Sequence, residues 1–227
     1  MSEIADAEKI FTEICRREVE DGLIFNPESV RGAEIKEGQE YQGVRVTFQA
    51  FLGTAQIKLQ VDIGFGDAVT PEAETIVFPI VLDFPAPELK AYPKETVIAE
   101  KFEAMVKLGM LNSRMKDFWD LRVLASEFEF DGALLQKAIR ATFERRQTAF
   151  PEKLPTALTE EFAEDTGKQT QWKAFLRKNK QTVVSENENS TELKNLIEPL
   201  REFFIKIIEA ENKNQVFDKN WRKGSWR

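Results

Sequence analysis

The N-terminal region begins with helical periodicity and then changes to a strand pattern. Apolar side chains recur three and four positions apart over residues 3–20, which predicts an amphipathic helix. Asp21 and Gly22 are typical of a helix end, so we expect the helix to stop there. A short strand is predicted directly afterwards, over residues 23–25.

Two later segments alternate between apolar and more polar side chains. The first covers residues 44–52 and the second covers residues 57–63. Alternation with a period of two is typical of half-buried strands. Because Gly53 and Thr54 provide a tight turn between the segments, we expect an antiparallel pair. A further strand is predicted over residues 76–82.

From Pro93 onward the periodicity is helical. Proline suits the first turn of a helix, and Gly109 is expected to end the helix that starts there. A polar turn at Asn112 and Ser113 precedes a second helix, and Asp131 is suited to be the N-cap of a third. Apolar residues at helical spacing continue this third helix and predict two more, over residues 134–143, 162–176 and 193–208.

These patterns predict an α/β fold of the α+β type with two domains. We expect residues 1–92 to contain the sheet and residues 93–227 to form a helical domain. The segment SENENS at residues 185–190 has the composition of a polar linker. The tail at residues 212–227 is basic.

The composition excludes several classes of protein. The chain has 227 residues, of which 42% are hydrophobic and 31% charged, and its net charge is −7. An acidic chain has no general attraction to nucleic acid, which leaves only a local basic face for that purpose. The single Cys15 rules out an internal disulfide. Because there is no secretory signal pattern and no apolar run of about 20 residues, we expect a soluble cytoplasmic protein without a membrane segment.

The chain contains no histidine, which narrows its possible chemistry. Ser-His-Asp and Cys-His catalysis are excluded, and the commonest ligand of zinc is missing. Any catalysis has to use carboxylates, lysine and hydroxyl groups, together with a hard cation such as Mg²⁺.

Asp62 is the candidate metal ligand in the strand region. It lies on the polar face of the strand at 57–63 and is followed by Gly64 and Gly66, which let a ligand approach the backbone closely. Taken alone, Asp62 has a simpler interpretation as a solvated acid on an outer sheet face. A strand nevertheless holds a carboxylate firmly enough to bind a metal ion.

The helical half offers a second group of candidates, formed by Lys101, Asp117 and Asp120. A lysine on a helix can bind a triphosphate as a compact charge. Asp117 and Asp120 are three residues apart, and therefore share one face of their helix. Solvated surface ion pairs are the simpler interpretation. However, Phe118 and Trp119 lie between the two acids, so at least one acid should border the core and need a partner.

Two other patterns are weaker. The pair Asp6 and Glu8 resembles a metal-binding Asp-x-Glu, but residues two apart on a helix diverge, so we reject it. Most of the 18 Phe and 4 Trp residues are expected in the core. Trp221 and Trp226, which lie among basic residues in the tail, are the one candidate platform for stacking on bases.

Four segments occur in the same order in a known protein family. They are YQGVRVTFQAFLG, KLQVDIGFGDAV, LDFPAPELKAYPKETVIAEKFEAMVKLGMLNSRMKDFWDL and IRATFERRQT. As a set they closely resemble the AbiEii/AbiGii-type nucleotidyltransferase toxin family, over roughly residues 8–180. The resemblance implies the remnant of a nucleotidyltransferase-like sheet with flanking helices, followed by a helical half.

The resemblance also implies an activity, partners and roles for the candidate residues. The activity is Mg²⁺-dependent transfer of a nucleotidyl group from a nucleoside triphosphate to an acceptor, which is tRNA in some members, and a cognate antitoxin opposes it. Asp62 matches the strand-borne metal carboxylate and Lys101 the lysine that binds nucleotide phosphate. Asp117 or Asp120 matches a late acid, with a slight preference for Asp120.

One segment of the family pattern has no counterpart in this sequence. It consists of a Gly-Ser or Gly-Gly turn and an Asp-x-Asp or Asp-x-Glu strand, which supplies the first two metal ligands. We therefore expect residues 1–227 to be a truncated form with little activity, and a form extended upstream of Met1 to be active. One alternative is a noncatalytic protein-binding module derived from the same fold. Another is a Mg²⁺-dependent nuclease that uses Asp62, Glu100 and Lys101.

Overall fold

The structure is a computed structural model that describes residues 3–37, 41–66, 68–179, 192–222 and 224–227. The linker predicted at residues 185–190 lies outside the described residues. The contacts divide the chain into two compact units, Met1–Asp67 and Ala68–Arg227. The predicted domain boundary at residue 92 falls inside the second of these units.

The first unit is a three-stranded antiparallel sheet with one helix. Helix α1 (Glu3–Cys15) is followed by strands β1 (Leu23–Glu37), β2 (Tyr41–Leu52) and β3 (Ala55–Gly64), in the sheet order β1-β2-β3. The antiparallel pair predicted around Gly53 is confirmed as β2 and β3. The helix packs on β1 and β2 over a small core formed by Ala7, Cys15, Val30, Val44, Val46 and Phe48.

Two predictions for the first unit need correction. The helix ends at Cys15 rather than near residue 20, because the next two residues make tighter backbone hydrogen bonds, from Arg16 to Glu13 and from Arg17 to Ile14. The strand predicted at residues 23–25 is only the beginning of β1, which extends to Glu37 because β2 pairs with it nearly throughout.

The second unit begins with a β-hairpin and continues as a helical bundle. The hairpin consists of β4 (Glu74–Val77) and β5 (Glu88–Ala91). The helices are α2 (Lys94–Leu108), α3 (Met115–Glu127), α4 (Gly132–Arg145), α5 (Glu160–Glu164), α6 (Thr166–Lys178) and α7 (Leu193–Asn212), with short 3₁₀ segments at Gly109–Leu111 and Thr156–Leu158. A small sheet joins β6 (Phe130–Asp131), β7 (Asn220–Arg222) and β8 (Ser225–Trp226). The predicted α/β fold of the α+β type is confirmed.

The core of the second unit is rich in aromatic side chains. Phe102 of α2 stacks on Phe204 of α7 with ring centroids 4.1 Å apart. Phe203 packs edge-on against Trp221, and Trp226 lies beside both rings. Trp221 donates to the backbone oxygen of Ala125 and Trp226 to that of Phe203. The tail therefore contributes both indoles to the core.

Four predictions for the second unit can be compared with this structure, and three of them need correction. The prediction of Trp221 and Trp226 as a base-stacking platform is wrong, because both indoles are buried. The strand predicted at 76–82 ends at Val77, close to Pro79, which has no N–H group for a ladder. The helix predicted over 162–176 is two helices, because the carboxylate of Asp165 caps the backbone N–H of Lys168 and starts α6. Asp131 is confirmed as the N-cap of α4, where its carboxylate accepts from Leu134.

The helices of the described residues include none that is both long enough and apolar enough to cross a membrane.

Candidate functional site

The turn between α2 and α3 positions the candidate lysine and acids. Helix α2 starts directly after Pro93 and ends at Gly109, whose φ of 48° lies in the left-handed region that favours glycine. The side chain of Asn112 then accepts a hydrogen bond from the backbone N–H of Arg114, one residue before α3 begins. The chain therefore reverses within a few residues, and α3 packs beside α2.

Lys101, Asp117 and Asp120 meet across this pair of helices. The Lys101 ammonium lies 2.5 Å from Asp117 Oδ1 and 2.9 Å from Asp120 Oδ2. All three side chains are partly buried, with 17–23% of each exposed. The spacing of three residues on α3 places both carboxylates on the face that points at α2. The structure thus brings together three of the candidate residues.

Burial and the two acids shift the pKa of Lys101 in opposite directions. Partial burial lowers the pKa of Lys101, because removal from water disfavours the charged form. The hydrogen bonds and charges of Asp117 and Asp120 together outweigh this effect and hold the pKa above its usual value. Lys101 is therefore a cation throughout the physiological pH range, and it carries a charge in a site with restricted access to water.

Lys116 completes the cluster on its solvent side. It donates to Asp120 Oδ2 over 2.7 Å, one turn apart on α3, and 74% of its side chain is exposed. Two ammonium groups therefore share one oxygen of Asp120, and Lys101 also contacts Asp117. The sum of the charges of the two lysines and two acids is zero.

Asp62 lies in the first unit and has a different partner. Its two carboxylate oxygens each accept a hydrogen bond from Arg45 on the neighbouring strand, both at 2.8 Å. Residues 45 and 62 are directly opposite in the β2–β3 ladder, and 44% of each side chain is exposed. The guanidinium of Arg45 lowers the pKa of Asp62 below its usual value, since it favours the ionised form.

The remaining predicted residues are placed as follows. Gly64 is the last residue of β3. Gly66 has a φ of 75°, in the left-handed region that favours glycine, so the backbone conformation by itself accounts for glycine at position 66. Glu100 lies 3.8 Å from the guanidinium of Arg146 on the neighbouring chain segment. Glu8, from the rejected Asp-x-Glu pair, accepts a hydrogen bond from the backbone of Gly32.

Sequence reasoning missed a buried carboxylate beside the site. Glu103 is only 2% exposed, and it accepts hydrogen bonds from Arg146 at 3.0 Å and from the Thr148 hydroxyl at 2.5 Å. These contacts join α2 to the end of α4. A signal was present in the sequence, because Glu103 follows Phe102 directly on the apolar side of α2, where a charge needs a partner.

The donor set does not provide a magnesium site by itself. Among the described residues, no group of three or more His, Cys, Asp or Glu side chains could hold a metal ion. Mg²⁺ needs several oxygen ligands, whereas both oxygens of Asp62 are engaged by Arg45. The predicted metal residue therefore does not fit the ion without displacement of that guanidinium.

The α+β fold, with a small antiparallel sheet followed by a helical half, is consistent with the nucleotidyltransferase-like class of proteins that the sequence resembles. The chain matches the family model described as nucleotidyl transferase AbiEii toxin, type IV toxin–antitoxin system, over residues 2–219, and it belongs to that family. The predicted resemblance is confirmed. Searches of the curated proteins and of the solved structures found no match.

Family membership establishes the coarse features of the function. The chain is a member of a nucleotidyltransferase toxin family, and type IV toxin–antitoxin systems include a cognate antitoxin.

Proposed function

We propose that this protein transfers a nucleotidyl group from a nucleoside triphosphate to an acceptor such as tRNA, and that Lys101 binds the phosphates. The observation that carries the proposal is the contact of Lys101 with both Asp117 and Asp120, inside the part of the chain that matches the family. Because both substrates are cytoplasmic, we propose the same location for the protein.

The proposed reaction is an in-line displacement at the α-phosphorus. The acceptor hydroxyl oxygen forms a bond to this phosphorus, while the bond to the bridging oxygen breaks and its electron pair leaves with pyrophosphate. The hydroxyl proton passes to a carboxylate, for which Asp120 is our preferred candidate. A fixed ammonium group stabilises the charge that develops on the phosphate oxygens, and such preorganised charges contribute strongly to catalysis.

The arrangement of the cluster supports these roles. Asp117 and Asp120 hold the ammonium of Lys101 in one position before a nucleotide arrives. Partial burial strengthens the attraction of that charge for phosphate, since the local dielectric constant is lower than in water. Asp120 is slightly more exposed than Asp117, at 23% against 17%, and it also contacts the exposed Lys116.

Magnesium and the role of Asp62 remain predictions from the family resemblance. When bound, Mg²⁺ would neutralise phosphate charge, but we derive no step from it because the described residues do not form its site. Asp62 as a metal ligand requires that Arg45 release at least one of its oxygens.

A noncatalytic binding module is the second candidate function. It is favoured by one observation, that β3 lies at an edge of the sheet formed by the described residues of the first unit. Edge strands present backbone groups that can pair with another chain.

A labelled-nucleotide assay tests the proposed function. Protein expressed from Met1, and from any longer reading frame that contains it, is incubated with each labelled triphosphate, Mg²⁺ and total tRNA. The matched pair of variants is Lys101→Met and Lys107→Met, because Lys107 is an exposed lysine on the same helix. We expect Lys101→Met to lower transfer about 100-fold or more and Lys107→Met to leave it nearly unchanged.

Two further experiments separate the candidate acids and the candidate functions. If Asp120 accepts the proton, Asp120→Asn should lower the rate at saturating triphosphate more than Asp117→Asn does. Cleavage of a labelled oligonucleotide without triphosphate would identify a nuclease instead. Absence of transfer by every form, combined with stable antitoxin binding, would favour the binding module. Equal transfer by the Lys101 and Lys107 variants would contradict the proposed role of Lys101.

A further inference from the structure

The hairpin of β4 and β5 exposes an unusual amount of apolar surface. Val81, in the connection between the strands, is 100% exposed, and Leu82 is 67% exposed. The other exposed apolar residues in this hairpin or directly after it are Val77, Phe78, Ile80, Phe84, Leu89 and Tyr92. A monomer rarely leaves so many large apolar side chains together in water, so such a patch indicates an interaction surface.

Within the part of the chain that the structure describes, the backbone of β5 has one side without a partner strand. The sheet of β4 and β5 has only these two strands among the described residues. Phe78 donates to the backbone oxygen of Pro87, and Ile76 lies opposite Leu89 in the ladder. Because hydrogen-bonding direction alternates along an antiparallel strand, Leu89 faces β4, whereas the backbone groups of Glu88 and Lys90 face outward.

This outer edge is complementary to itself. If two copies of β5 pair antiparallel about a twofold axis at Leu89, Glu88 of each copy lies opposite Lys90 of the other. Residues 88 and 90 are also the ones whose backbone groups point outward, so each Glu–Lys pair can exchange two backbone hydrogen bonds. Opposite charges directly across strands are favourable, and the symmetry makes each contact occur twice. β4 has no such pattern, because Glu74 is its only charged residue.

The size of the patch agrees with the same partner. A standard protein interface buries about 800 Å² per partner, and one aromatic side chain contributes about 150–250 Å² when fully buried. The exposed parts of the eight apolar side chains together reach the order of 800 Å². Pro79, Pro85 and Pro87 lack backbone N–H groups and keep the pairing edge short, which favours one register over many.

We propose that the hairpin of residues 74–91 is a self-association surface, where β5 of two copies pairs into a four-stranded antiparallel sheet. The occupant of the patch is therefore a second copy of this chain. Because the two copies of β5 run antiparallel, the exposed side chains of each connection lie beside the C-terminal end of β5 in the other copy. This inference is independent of the proposed transfer reaction.

Charge reversal provides a sharp test by sedimentation equilibrium or light scattering over a range of concentrations. Glu88→Lys places two lysines opposite each other, and Lys90→Glu places two glutamates opposite each other. We expect each single variant to weaken self-association at least about tenfold relative to the wild-type dimer. The double variant Glu88→Lys with Lys90→Glu restores opposite charges and should dimerise again.

A mixture of the two single variants is the most specific test of the proposed pairing between Glu88 and Lys90. One partner then presents two lysines and the other two glutamates, so we expect a heterodimer where neither variant alone is dimeric. Lys137→Glu, at an exposed position on α4, is the control and should dimerise like the wild type. Circular dichroism verifies that every variant is folded. A monomeric wild type, a wild type that assembles only with the antitoxin, or single variants that dimerise normally would overturn the proposal.

Discussion

The two predicted acidic sites of this chain are both ion pairs, yet they lie in very different surroundings. Asp62 and Arg45 form a bidentate pair on an outer sheet face, and 44% of each side chain is exposed. Lys101 shares its charge with Asp117 and Asp120 between two helices, and only 17–23% of each of these side chains is exposed. Salt and water screen the first pair far more than the second.

This difference shows what makes a charged group suitable for ligand binding. A guanidinium that engages both oxygens of one carboxylate leaves little affinity for another ion at either group. An ammonium held between two acids has donors fixed in direction, and its removal leaves two partly buried carboxylates without their shared cation. We therefore assign the central role to Lys101, and the predictions below examine its contrast with Asp62.

The largest expected effect on stability comes from Lys101→Met. The substitution leaves Asp117 and Asp120 partly buried without their shared cation, and a lost hydrogen bond to a charged group costs about 1.5–3 kcal/mol. We expect the free energy of unfolding to fall by about 2 kcal/mol in urea denaturation. Asp62→Asn, measured in the same way, should lower it much less. Equal losses in the two variants would remove the contrast between the sites.

The second prediction concerns alkaline pH. The folded state raises the pKa of Lys101, so its contribution to stability is fully present below the unfolded value of 10.5 and is lost as the pH rises through the folded value. The stability difference between wild type and Lys101→Met should therefore stay constant up to about that pH and shrink above it. Urea unfolding across the alkaline range measures it. A difference that grows with pH would have the wrong sign for this account.

The third prediction applies the same reasoning to Asp62 in acid. Arg45 lowers the pKa of Asp62 from its ordinary value of 3.8, so this contribution is present above that value and is lost as the pH falls through the folded pKa. Arg45→Gln should return the pKa of Asp62 toward 3.8, with only a slight loss of stability because the pair is well exposed. The carboxyl chemical shift of Asp62, followed over an acid titration, reports this pKa directly. Arg45 is not the cause of the lowering if the titration is unchanged.

The smallest effect is expected for Lys116→Ala. Its pair with Asp120 is exposed and one turn apart on a helix, and such pairs contribute about 0.3–0.5 kcal/mol. Thermal unfolding should therefore change little, while Lys101 keeps both of its acids. A loss comparable to that of Lys101→Met would mean that Lys116, rather than Lys101, organises the cluster.

Periodicity predicted most of the fold because the core positions follow it closely. The alternation at residues 44–52 and 57–63 corresponds to β2 and β3, and Pro93 and Gly109 enclose α2 as expected. The strand predicted at 76–82 is shorter in the structure, because its apolar residues resemble a buried strand whereas most of them are exposed. A pattern of apolar side chains does not reveal whether a partner covers them.

The site was only partly predictable for a related reason. Helical spacing places Asp117 and Asp120 on one face, and the family resemblance selects Lys101, so their meeting could be anticipated. The partner of Asp62 follows from the two-residue turn at Gly53 and Thr54, which sets the register of β2 against β3 and places Arg45 directly opposite. The prediction of Asp62 as a metal ligand did not take this pairing into account. The contact of Glu103 with Arg146 and Thr148 joins residues far apart in sequence, so local patterns could not reveal it.

Equilibrium binding of a labelled nucleoside triphosphate to wild type, Lys101→Met and Lys107→Met tests the central claim most directly. The account predicts that Lys107→Met binds like the wild type, whereas Lys101→Met loses about tenfold or more in affinity because the fixed ammonium is gone. Circular dichroism and urea unfolding verify that all three proteins are folded under the assay conditions. Undiminished binding of the triphosphate by folded Lys101→Met would contradict the claim that this lysine holds the nucleotide.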